Sequence, residues 1–149
     1  MPNLPAVLPK DLFEAYRNTD YTLFTEPPVV LGIGAASTEL AVLLRARNVE
    51  SAVLVTAYNP FSQSLANAEN VARTAQLQEF LEAQGWSYVA AAGKSRTGAW
   101  AAEPGFLVFG VSEDQGRELA VEFEQNAVVW CPSSGVPQLL LHPDIRLAP

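Results

Sequence analysis

Apolar residues along this chain fall into short unbroken runs separated by stripes at helical spacing. Val53-Leu54-Val55 within Ser51–Tyr58 and the run Phe106–Val111 are apolar on successive positions. Strands covered on both faces read this way, so both are expected at the centre of a sheet and beside each other. Ser37 can cap a helix that runs to Arg47, with Leu40, Leu43, Leu44 and Arg47 on one side. A longer helix, capped by Ser62 or Ser64, reaches Gln84 and stops at Gly85. Ser112 with Gln115 forms a capping box for a further helix. Gly116 inside that helix, an unfavourable helix residue, points to a close approach to the sheet.

The remaining segments complete the order. Residues 1–9 read as an extended, proline-punctuated arm, and 10–17 as a short helix with Leu12, Phe13 and Tyr16 on one side. Tyr21–Thr25 and Val29–Ile33 flank Glu26-Pro27-Pro28 as a hairpin. Trp86–Ala92, Ala127–Cys131 and Gln138–His142 read as strands, residues 93–102 as a loop, and the tail from Pro143 as irregular. From residue 51 the order is β-α-β-β-α-β and one more strand. It predicts an α/β (α+β) fold: a two-layer sandwich with a mixed sheet, a ferredoxin-like split βαβ core, and an added N-terminal helix and hairpin. The 149 residues make one domain.

Composition narrows the chemistry. With 49% hydrophobic and 17% charged residues the chain can bury a full core. A net charge of −7 repels nucleic acid and anionic lipid, and Arg45, Arg47, Lys94 and Arg96 are too few for a basic patch. No run reaches the length of a membrane span, and Pro2, Pro5 and Pro9 break the pattern of a secretory leader, so the expected location is the cytoplasm. His142 and Cys131 are the only residues of their kinds. No metal site and no cofactor are therefore expected. Gly32-Ile33-Gly34-Ala35-Ala36-Ser37 is a degenerate dinucleotide loop, but Thr56 and Tyr58 stand where an acidic ribose ligand belongs, which leaves a tight turn and cap.

The most specific stretch is Thr56-Ala57-Tyr58-Asn59-Pro60-Phe61-Ser62, which carries an apolar strand into the long helix. At 100° per residue, Ala66, Asn70, Arg73, Leu77, Phe80, Leu81 and Gln84 share one helix side. Asn70 and Arg73 thus come beside the strand end, where free backbone N–H groups suit an anion. Asn59, Asn70, Arg73, Gln125 and Asn126 are the expected ligand-binding residues. Glu103, ahead of Pro104-Gly105 and a buried strand, is the candidate catalytic acid or base. Structural roles compete for each: Arg73 can pair with Glu103, and Asn126 can take a left-handed helix end.

These motifs carry a resemblance. Tyr21-Thr22, Thr56-Ala57-Tyr58-Asn59-Pro60, Glu69-Asn70, Trp100 with Glu103-Pro104-Gly105-Phe106, and Gln125-Asn126-Ala127-Val128-Val129-Trp130 resemble the bacterial family known as domain of unknown function 3293, over residues 16–141. The resemblance implies a small bacterial protein and brings no activity with it. Its polar positions are mostly amides, which recognise more than they react. Three functions stay open: a ligand-sensing or protein-interaction domain with an anion-type site at the sheet end, a small nucleotide-processing hydrolase with Glu103 as general base, and a purely structural polar cluster. The expected partners are a small anionic ligand and, as a homodimer, a second copy of the chain.

Overall fold

The computed structural model describes residues 3–149. Met1 and Pro2, the head of the expected arm, lie outside the described residues. The elements run β1 (Val7–Leu8), α1 (Lys10–Arg17), β2 (Thr19–Leu23), β3 (Val29–Leu31), α2 (Thr38–Ala46), β4 (Ser51–Thr56), a 3-10 turn at Pro60–Ser62, α3 (Asn67–Gln84), β5 (Tyr88–Ser95), β6 (Glu103–Phe109), α4 (Glu113–Glu122), β7 (Ala127–Pro132), β8 (Gln138–Leu141) and β9 (Arg146–Leu147).

Seven strands form one sheet in the order β3-β2-β5-β6-β4-β7-β8. The four strands β5-β6-β4-β7 carry the split βαβ arrangement expected from the element order: β6 lies between β5 and β4, and β4 lies between β6 and β7. Every neighbouring pair is antiparallel. The expected mixed sheet is corrected accordingly, since the parallel relations of β4 to β5 and of β6 to β7 are between strands one apart. As their apolar runs require, β4 and β6 are central and paired, with Leu54 opposite Leu107 and Val55 opposite Phe106.

Alternation along β4 divides the core. Val53 and Val55 face Leu77 and Leu81 of α3 and Leu119 and Ala120 of α4. Ala52 and Leu54 face the other way, toward Leu40 and Leu44 of α2. Helices therefore cover both faces of the sheet, which corrects the expected two layers. The stripe on α2 showed that it packs, but not which face receives it. Gly116 meets its expectation of a close approach: a Cβ there would stand 3.0 Å from Leu140 Cδ2 and 3.1 Å from Val53 Cγ2, so any side chain would push these methyl groups aside by a few tenths of an ångström.

Capping follows the sequence at two helices. Ser37 accepts from the Leu40 N–H, and Ser112 and Gln115 close a full capping box. Three boundaries differ. The long helix begins at Asn67 with no side-chain cap, so neither Ser62 nor Ser64 starts it. β5 runs on to Ser95 and β6 already begins at Glu103, so the first three residues of the expected glycine loop, 93–95, are paired backbone. The arm and tail also meet, with Val7–Leu8 pairing parallel to Arg146–Leu147.

Candidate functional site

The strand β4 ends in a turn whose backbone is held far from its ordinary range. Asn59, Phe61 and Ser62 have φ of 44°, 50° and 61°, all left-handed and none of them glycine. Such conformations cost of order 1–3 kcal/mol each and persist only where surroundings impose them. Here the Phe61 N–H donates to the Glu124 carbonyl at 2.7 Å, and the Ser62 N–H to the Asn59 carbonyl at 2.8 Å. From the far side Asn126 Nδ2 donates to Ser62 Oγ at 2.9 Å. Glu124 takes the left-handed position after α4 (φ 54°), which corrects the placement of Asn126 there.

Asn59 is the hub. Its N–H donates to Asn70 Oδ1 at 2.9 Å, and its Oδ1 accepts from Asn70 Nδ2 at 2.8 Å and from the Leu65 N–H at 3.1 Å. With both ends committed, the remaining donor, Nδ2, reaches Glu103 Oε2 at 2.9 Å. Thr56 fixes the strand that carries Glu103 by donating from Oγ1 to the Pro104 carbonyl at 2.7 Å. Gly105 lets the two strands meet, since a Cβ on it would lie 2.3 Å from the Val55 carbonyl oxygen. Burial raises the Glu103 carboxyl above the usual carboxylate range, and the Asn59 hydrogen bond offsets part of the rise.

Glu103 and Asn59 open onto a cavity of about 270 Å³. Leu12, Ala15 and Tyr16 of α1, each partly buried, roof it. Tyr21, Leu54 and Val129 give it an apolar floor, and Tyr58, Ser62, Trp100 and Gln125 stand around it. Burial raises the Tyr16 phenol, whose hydroxyl end lies against Asn126 and Ser62. Tyr21 is raised for the same reason. Both phenols stay protonated over the ordinary pH range.

The expected residues divide. Asn59, Glu103 and Gln125 line the cavity, and Asn70 stands behind Asn59. Gln125 Nε2 also clamps the turn, donating to the Tyr58 and Phe123 carbonyls at 3.1 and 3.0 Å. Asn126 is 1% exposed behind Ser62, with its Oδ1 unpartnered among the described residues. Arg73 stands outside the lining. Its Nε donates to the Ala57 carbonyl at 2.6 Å, one terminal nitrogen to the Phe123 carbonyl at 2.7 Å, and the other to Glu124 Oε1 at 3.1 Å. The pairing with Glu103 considered from the sequence is thus replaced by one with Glu124.

The anion chemistry expected at this place meets two obstacles. α3 starts eight residues after Asn59, and the Asn59 N–H is already taken by Asn70. No Lys, Arg or His stands among the described cavity residues. Cys131, fully buried, has its thiol pushed up to about 12, which keeps it unreactive at ordinary pH. Sequence reasoning missed Tyr16, Ser62 and Trp100 as site residues. For Trp100 and Tyr21 the family motifs were the only signal.

Two of the three comparisons with known proteins are empty: no curated protein and no solved structure matches the chain. Residues 55–128, which hold the end of β4, the strained turn, α3, Glu103 and Asn126, match the model of the family described as "Protein of unknown function (DUF3293)", and the chain carries a domain of that family.

Proposed function

We propose that this chain binds a small molecule in the cavity beneath α1, with Glu103 as the side chain that recognises it. One observation carries the reading: a half-buried carboxylate is held in a fixed direction by Asn59 at the wall of a cavity of about 270 Å³. A carboxylate kept only for structure would gain by facing water or a cation. Enclosure beneath a helix favours a small ligand over a protein surface, which narrows the ligand-sensing or protein-interaction reading to its first half. We place the protein in the cytoplasm because its single cysteine, free and buried, fits a reducing compartment.

A second reading has Glu103 transferring a proton. The rise in its carboxyl toward neutrality and its fixed orientation support it, as does the Ser62 hydroxyl, carried on strained backbone in the lining of the same cavity. Nucleotide processing lacks support, because the described lining offers no cation to a phosphate.

The test is a small-molecule screen followed by NMR of the labelled protein. Binding at this site shifts the resonances of Tyr16, Trp100 and Gln125 together, and Glu103→Gln weakens it. Ligands that perturb only outer surfaces, with these three unmoved, would remove the proposal.

A further inference from the structure

We infer that the ligand of this cavity is a small organic cation, a protonated amine on a flat apolar body. The inference rests on the binding reading above and adds the ligand's charge. Three observations point to it.

Glu103 brings a negative charge to a place where burial is incomplete but substantial, and its one hydrogen-bond donor among the described residues is the neutral Asn59 amide. The described ion pairs all lie elsewhere. A desolvated carboxylate without a cation is costly, and an ammonium group delivered to it removes that cost. An anion would add to it.

The walls suit the rest of such a molecule. Tyr16, Tyr21, Tyr58 and Trp100 stand around the cavity, and Leu54 and Val129 floor it. Aromatic rings attract cations through their negative faces, more strongly where water is excluded. The net charge of −7 raises the local concentration of cations over anions.

Three probes of similar shape separate charge from fit: 2-phenylethylamine, 2-phenylethanol and 3-phenylpropanoate. Affinities come from NMR titration of the whole chain, and the Glu103 carboxyl carbon is followed against pH with each probe. The amine should bind about tenfold more tightly than the alcohol, the margin of one charge-assisted hydrogen bond, and the carboxylate more weakly than either. The amine should also lower the Glu103 pKa, because a cation favours the ionised form, whereas the alcohol should raise it by further desolvation. In Glu103→Gln the amine should lose that margin while the alcohol stays within about twofold. The pKa measurement uses the unaltered protein, so it decides even if the variant folds poorly. Equal binding of amine and alcohol, or a pKa that rises with the amine, overturns the cation and leaves the cavity reading standing. Probes that move no cavity resonance at all overturn both.

Discussion

Asn59 and Asn70 hold each other twice, the Asn59 N–H donating to Asn70 Oδ1 at 2.9 Å and Asn70 Nδ2 donating to Asn59 Oδ1 at 2.8 Å. This reciprocal pair fixes the Asn59 side chain on an otherwise unfavourable left-handed backbone. It leaves Asn59 Nδ2 free to reach Glu103. The helix amide therefore sets the carboxylate's direction through one intermediate.

Asn70→Ala should lower stability by about 1–3 kcal/mol, since Asn70 is 4% exposed and its loss leaves the Asn59 N–H without its acceptor and Asn59 Oδ1 with one donor fewer. Freed from Asn70, the Asn59 amide should hold Glu103 less often, and the Glu103 pKa should rise further. Urea denaturation measures the first effect and NMR titration the second. A stable variant with an unchanged Glu103 pKa would mean that Asn59 is positioned by its turn alone.

Glu103→Gln should stabilise the protein near pH 7. The folded carboxyl is raised above 4.5, so its contribution is fully present below about that pH and is lost as pH rises through the folded pKa. Glutamine keeps an oxygen for Asn59 and carries no charge to desolvate. The stability of the unaltered protein relative to the variant should therefore fall from pH 4 to pH 7. A difference independent of pH would show that the carboxylate is already compensated.

Arg73→Ala should destabilise by about 3 kcal/mol, because its guanidinium ties α3 to the Ala57 carbonyl after β4 and to the Phe123 carbonyl and Glu124 carboxylate after α4. Arg73→Lys should recover little of this, since an ammonium cannot span the same fork. Melting curves with phosphate should shift equally in the unaltered protein and both variants. A phosphate-induced shift lost with Arg73 would restore the anion site.

Much of the framework could be read from residues acting on near neighbours. The Ser112–Gln115 box, the Ser37 cap and the apolar runs of β4 and β6 express local geometry, and each stands where the pattern put it. The turn after β4 could not be read so. Its shape depends on Asn59 meeting Glu103, 44 residues on, and Ser62 meeting Asn126, 64 residues on. Without those bonds, Ser62 looks like an ordinary helix cap. Arg73 illustrates the same limit: helix phase placed it inward, while its partners come from a loop that periodicity does not locate. The cavity needed α1 laid over the sheet, so Asn59, Glu103 and Gln125 were nameable and Tyr16 was not.

Gly105→Ala tests the close approach beside Glu103. A methyl group would stand 2.3 Å from the Val55 carbonyl oxygen and 3.0 Å from Thr56 Cα, both of them backbone atoms of a central strand. Neither can rotate away, so relief requires β4 and β6 to part. The cost should be about 3 kcal/mol, the upper end of ordinary overpacking.

His142 supplies an acid-sensitive latch under the strained turn. Its ring packs edge-on against Phe61 at 5.9 Å between centroids, and its Nδ1 accepts the Asp144 N–H at 3.0 Å. Protonation puts a hydrogen on Nδ1 and removes that acceptor. Burial lowers the His142 pKa below 6.5, while the Asp144 carboxylate beside it works the other way. The folded pKa is depressed, so the stabilisation is present above about pH 6.5 and is lost as pH falls through the folded value. Stability measured by urea should therefore decline between pH 7 and pH 5 more steeply in the unaltered protein than in His142→Gln. The variant should also start lower at pH 7, having given up the ring contact with Phe61. Because Phe61 and Ser62 hold their left-handed backbone only under such contacts, acid should loosen the turn before it unfolds the sheet. Amide exchange at Phe61 and Ser62 should then quicken ahead of exchange in β4. Equal quickening in both segments would show that His142 supports the fold as a whole and not the turn in particular.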